Sequence, residues 1–171
     1  MLLNGFFANL FLIYSLADVT DAQRLADSAA KWKVAREMCG NSYQYKVVRS
    51  SFTGARSETT IIVRSGKVIE RRLEASKPPM PGQPAKLETE WVEKGAEIGT
   101  HKSEVEARTV DELYGIAGKL VEASVPANHV RSLGIDKNGL LHHCFLRDKR
   151  IADDAPITGF GPIELDLRAK P

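Results

Sequence analysis

The stretch "LLHHCFLRD", residues 140–148, sets two of the chain's four histidines beside one of its two cysteines, directly after Asn138-Gly139. It can be read as a metal or thiol site, or as a strand that happens to carry those side chains. Asn-Gly between apolar runs is a strong hairpin signal, because both residues accept positive φ. With a two-residue turn there, Leu133, Ile135, Leu140, His142, Cys144 and Leu146 share a face apolar enough to be core, and His143 points the other way. The two histidines and the cysteine then cannot converge on one ion. The remaining histidines, His101 and His129, stand at no zinc spacing. A reactive thiol needs exposed, electropositive surroundings, whereas Leu141, Phe145 and Leu146 predict burial of Cys144. The segment reads as a strand.

Working outward, "TDAQRLADSAAKWKVAREMCG" places Leu25, Ala29, Trp32, Ala35 and Cys39 on one helical stripe, with Thr20 and Gln23 as a capping box and Gly40 as the stop. "SYQYKVVRSSF" alternates Tyr43, Tyr45 and Val47 against Gln44 and Lys46, as a half-buried strand does. "ETTIIVRSGKVIERRLE" is a hairpin turning at Ser65-Gly66, its register open between a tight and a bulged loop. Arg71 and Arg72 there, among glutamates, read as a solvated face.

"SKPPMPGQPAK" holds four of the eight prolines and is a loop, and "LETEWVEKG" returns as a strand. "TVDELYGIAGKLVEAS" is a second helix, boxed by Thr109 and Glu112. Gly115 and Gly118 weaken it, which predicts close packing on a neighbour. "HVRSLGID", the opening stretch and "GPIELDLR" complete the strands. The fold class is therefore α+β, with two helices packed on an antiparallel sheet in the order helix–strands–helix–strands.

Residues 2–17 are mostly apolar and uncharged, too short for a comfortable membrane span, and "SLA" at Ser15–Ala17 suits a signal-peptide cleavage site. The expectation is a signal peptide over 1–17 and one α+β domain over 18–171, with a proline-rich loop at about 76–86 and no integral span after cleavage. In a secreted or periplasmic chain two cysteines tend to pair, and Cys39 and Cys144 both fall on inward positions. The alternative is two separate buried thiols.

Trp32, "YQY" at Tyr43–Tyr45, "VRSGKV" at Val63–Val68, "TVDELYGIAGKL" and "IADDAPITGFGPIEL" together resemble a family of bacterial secreted or lipoprotein domains of unknown function. The resemblance spans about residues 30–168 and implies a small α+β unit. It brings no assigned catalytic residue, cofactor or partner.

A net charge of +2 argues against a nucleic-acid partner. Asp153 and Asp154 in "ADDAP" lack calcium-loop spacing and read as a turn, and "GFGP" is followed by no helix, so it is no phosphate cradle. The sequence shows no nucleophile–base pair, no metal set and no cofactor signature. Two readings of function follow. One is a non-enzymatic module binding a protein or envelope component through an open sheet face or the proline-rich loop. The other is a small-molecule-binding protein or enzyme with a pocket on the concave face, lined by Tyr43, Tyr45, His129, His142 and Asp154.

Overall fold

Thr20 opens the first helix by accepting a hydrogen bond from the Gln23 amide at 3.2 Å, and α1 runs from Asp21 to Met38. The structure, a computed structural model, describes residues 19–51, 54–76, 86–151 and 156–168. The apolar leader, the body of the proline-rich loop and the Asp153–Asp154 pair lie outside them. Four strands follow: β1 (Tyr43–Ser50), β2 (Arg56–Arg64), β3 (Lys67–Ser76) and β4 (Glu88–Lys94). Then come α2 (Val110–Glu122), β5 (His129–Ile135), β6 (Leu141–Asp148), β7 (Ile157–Phe160) and β8 (Glu164–Asp166). The class is α+β in the expected order, but with two antiparallel sheets, β4-β3-β2-β1-β8 and β5-β6-β7.

The first hairpin settles its open register in both ways at once. Arg64 faces Lys67 across a two-residue turn, with Ser65 and Gly66 at φ 48° and 77°. The ladder then slips between Ile62 and Val63, leaving Ile69 as an extra, exposed residue. That bulge puts Val68 and Arg71 on one face. The second hairpin departs from expectation. Its loop is Lys137–Gly139, closed by Asp136 and Leu140, with Gly139 at φ 81°. This is a three-residue hairpin with glycine at the left-handed position, rather than a two-residue turn. Asp136 fixes it, its carboxylate accepting from the amides of Asn138 and Leu140 at 2.8 Å each.

The core gathers around Trp32, which is 3% exposed. Its ring meets Tyr43 edge-on at 5.1 Å and stacks on Tyr114 at 6.3 Å, and its Nε1 donates to Asp111 at 3.1 Å. Tyr114 of α2 shares a hydrogen bond with the buried hydroxyl of Ser28 and accepts from the Leu141 amide, tying both helices to β6. Tyr43 and Tyr45 clip the entrance of α2. The Tyr43 hydroxyl accepts from the Val110 amide at 2.9 Å, and Tyr45 donates to the Arg108 carbonyl at 2.7 Å. A helix's first amides lack intrahelical acceptors, so the "YQY" strand supplies one. The Thr109–Glu112 capping box forms in both directions.

The expected disulfide is absent: Cys39 and Cys144 are both free thiols. Cys39 caps the C-terminal end of α1, an 18-residue helix roughly 27 Å long at 1.5 Å per residue. Cys144 lies under the other end, in the field of Asp21 and Arg131. A bridge needs its Cα atoms within about 7 Å.

Close packing does not explain Gly115 and Gly118, since a Cβ built on either meets open space. Gly115→Ala and Gly118→Ala are therefore each expected to stabilise the fold by up to about 1 kcal/mol, read from urea-unfolding midpoints.

Candidate functional site

The end of the chain changes sheets. β7 pairs with β6 from Cys144–Phe160 to Arg147–Ile157, and β8 pairs with β1 across Gln44–Lys46. Between them, the Ile163 amide donates to the His142 carbonyl at 2.8 Å. "GPIELDLR", read as one last strand, holds only the three-residue β8, and β7 precedes it on the other side of a crossing. Because β8 covers only Gln44–Lys46, β1 continues from Val47 to Ser50 with β2 on one edge and no described strand on the other. β7 likewise has β6 on one edge and no described strand on the other.

These two edges splay apart around a cleft of about 1020 Å³. Val47 and Tyr45 of β1, Leu113 and Ile116 of α2, and Phe160 and Ile163 give it an apolar lining. Glu104–Arg108 form a further wall, with Arg49 paired to Glu104 and Arg108 to Glu106 as its polar part. The interior favours apolar side chains, and the strand edges favour backbone.

That further wall hangs on a buried ion pair. Arg71, expected on a solvated face, is 2% exposed, and Glu93 opposite it on β4 is fully buried. The Arg71 guanidinium grips Glu93 with two bonds of 2.8 and 2.7 Å. Its remaining donors reach the carbonyls of Val105 and His101 at 2.9 and 2.7 Å. Glu93 in turn accepts from the amides of Gly99 and His101 at 2.7 and 2.6 Å. Trp91 lies under the guanidinium at 4.9 Å and stacks on His101 at 4.8 Å. The loop from Gly99 to Val105 is thereby fastened to the sheet face. The Arg71 guanidinium, chiefly, holds the Glu93 carboxyl far below the usual carboxylate range.

Of the five expected pocket residues, four are described, and only Tyr45 among them lines the cleft. Tyr45 lines the cleft, though 1% exposed, and burial raises its phenol above the ordinary range. Tyr43 is fully buried, and burial pushes its phenol up to about 12. His129 stands at the start of β5, bonded to the Ala127 carbonyl, and Asp154 is outside the described residues.

His142 is displaced by a bulge. Gly134 pairs with His143 but Ile135 pairs with Leu141, so His142 is the extra residue. The expected alternation of His142 with Cys144 is therefore broken. Leu141 and Cys144 face the core together, while the two imidazoles meet, Nδ1 to Nδ1, at 3.0 Å. His143 Nε2 also bonds the Ser132 hydroxyl at 2.9 Å. A nucleophile–base pair thus exists where none was legible. Its one sequence signal is Gly134, whose missing Cβ leaves room for the His143 ring: a Cβ would fall 2.1 Å from its Cε1. Burial pushes the Cys144 thiol up, away from reactivity. Among the described residues no three His, Cys, Asp or Glu side chains gather as a metal set.

No protein-family model, curated protein or solved structure matches the chain.

Breaking the ion pair leaves a buried charge alone, so Glu93→Gln is expected to destabilise by about 3–5 kcal/mol in chemical unfolding. Since the folded Glu93 carboxyl is depressed, the unfolded chain takes up its proton first. Stability from this pair is complete above the ordinary carboxylate range, about 4.5, and is lost as pH falls below it. Glu93→Gln is expected to flatten that acid limb.

Proposed function

We propose that this chain is an exported binding module that takes an extended peptide segment of a protein or envelope partner into the cleft between its sheets. The observation that carries the reading is the pairing of two strand edges that no described strand covers, Val47–Ser50 and Ile157–Phe160, across one apolar-floored cleft. An exposed strand edge offers amides and carbonyls in the spacing that an added strand matches, and alternate side chains of that strand drop into pockets. Leu113, Ile116 and Phe160 supply such a floor, and the Arg49–Glu104 pair sets polar groups of both signs beside it. A cleft of this size lies at the upper end of ordinary ligand sites, which suits several side chains better than one small molecule. The uncharged apolar leader at residues 2–17 supports export.

Selection from a displayed library of extended peptides provides the ligand, and amide exchange locates it. Protection is expected at Val47–Ser50 and Ile157–Phe160. Ile116→Glu is expected to weaken binding at least ~10-fold, about 1.4 kcal/mol. A backbone N-methylated copy of the same peptide is expected not to bind. Protection confined to β4 or β5, or equal binding of the N-methylated copy, contradicts the reading. Mass spectrometry of the native protein is expected to find Asp18 as the mature terminus.

A further inference from the structure

The two described cavities lie back to back. Ile157, Gly161 and Pro162 line both the cleft and a second depression of about 500 Å³ on the face of β5-β6-β7 turned away from the helices. Cross-strand partners share a face, so Val130 with Arg147, Ser132 with Phe145, and Gly134 with His143 all present there. Val130 is 41% and Ile157 38% exposed, as the outside of a sheet requires. The Ser132–His143–His142 chain of hydrogen bonds runs along this face, and Ser132 lines the depression.

Either direction of donation satisfies the chain, and one of them activates the serine. The Ser132 hydroxyl donates to His143 Nε2, His143 Nδ1–H donates to His142 Nδ1, and His142 keeps its proton on Nε2. A hydroxyl bonded to an imidazole whose other nitrogen is oriented by a third group is the arrangement of an activated nucleophile. We propose that Ser132 and His143 form a second, catalytic site, with His142 as a positioning residue, that hydrolyses small carboxylic esters bound in the outer depression.

The remaining surroundings agree. Val130, Phe145, Ile157 and Pro162 give an apolar seat for an acyl chain of a few carbons. Arg147 lines the same depression, and its side chain makes no hydrogen bond or ion pair among the described residues, so its guanidinium is available to the developing oxyanion. Burial, with His142 and Arg24 adding, holds the His143 imidazole below its usual range and hence neutral at pH 7. Gly134 seats the His143 ring, since any Cβ there collides with it.

The step balances without an outside reagent other than water. Ser132 Oγ bonds to the ester carbonyl carbon as its proton passes to His143 Nε2. The carbon–alkoxy bond breaks, and His143 returns that proton to the leaving alkoxide. Water then attacks the acyl-serine, giving a proton to His143 Nε2. As the carboxylic acid departs, His143 returns that proton to Ser132 Oγ. This site is independent of peptide binding in the cleft.

The test uses the whole chain with a fluorophosphonate and with p-nitrophenyl butyrate. One adduct is expected, mapped by peptide mass to Ser132, with ester turnover that saturates. Ser132→Ala is expected to give no adduct. His143→Gln is expected to slow labelling by ~100-fold or more, the span of general-base assistance. Gly134→Ala removes no reacting group but displaces the His143 ring, and is expected to lose labelling alike. His142→Phe removes the acceptor that orients the His143 ring and is expected to slow labelling, whereas His142→Asn, whose side-chain oxygen can accept in place of Nδ1, is expected to restore it. A merely structural His142 shows no such difference between Phe and Asn. Circular dichroism and melting confirm that each variant folds. Wild-type protein that forms no adduct, an adduct elsewhere, or His143→Gln labelled at the wild-type rate overturns the proposal.

Discussion

One hydrogen bond sets the geometry of this molecule: the Ile163 amide on the His142 carbonyl. It holds the closing segment to β6 three residues beyond the end of β7, then releases it to β1. On the other edge of β6, at the same place, the ladder to β5 slips by one residue and His142 becomes a bulge. Ile163 itself is 3% exposed, so the crossing is pinned by burial as well as by the hydrogen bond. A bulged strand bends and re-aims its side chains. Here that places two imidazoles together on the outside and leaves Leu141 and Cys144 together on the inside.

The same crossing opens the cleft. A closing strand that ran the length of β1 would have covered Val47–Ser50; one that stayed on β6 would have left the sheets unjoined. Splitting the segment into two strands does neither, and two edges are left facing each other over α2. The opposite wall depends on charge rather than on apolar packing. Six hydrogen bonds of 2.9 Å or less satisfy Arg71 and Glu93, so their desolvation is offset where a bare pair would be costly. Fastening a loop in this way fixes its backbone, which is what a wall of a binding site requires.

Much of this was legible from local pattern. Capping residues, period-two alternation and turn glycines act within a few positions, so both helices, the inward Tyr43, Tyr45 and Val47, and both hairpins could be read directly. What was missed depends on partners far along the chain. The bulge at His142 sits where Ile163 crosses, and the burial of Arg71 depends on Glu93 on the next strand and carbonyls beyond it. Composition gave those charges the look of a solvated face. Cys39 and Cys144 were read as two inward positions of one core; both are free thiols, one at the C-terminal cap of α1 and the other on β6. Gly134 was the overlooked clue, a glycine in mid-strand with no turn to make.

The account stands or falls on the unfilled edges. Residue-resolved amide exchange of the unliganded protein by NMR measures them directly. Along β1, slow exchange is expected at consecutive amides over Gln44–Lys46, followed from Val47 to Ser50 by alternation of slow and solvent-fast amides, with fast ones also on the cleft side of Ile157–Phe160. Uniform protection through Ser50 and Phe160 would mean that those edges are already covered, and the cleft would then have no strand to receive.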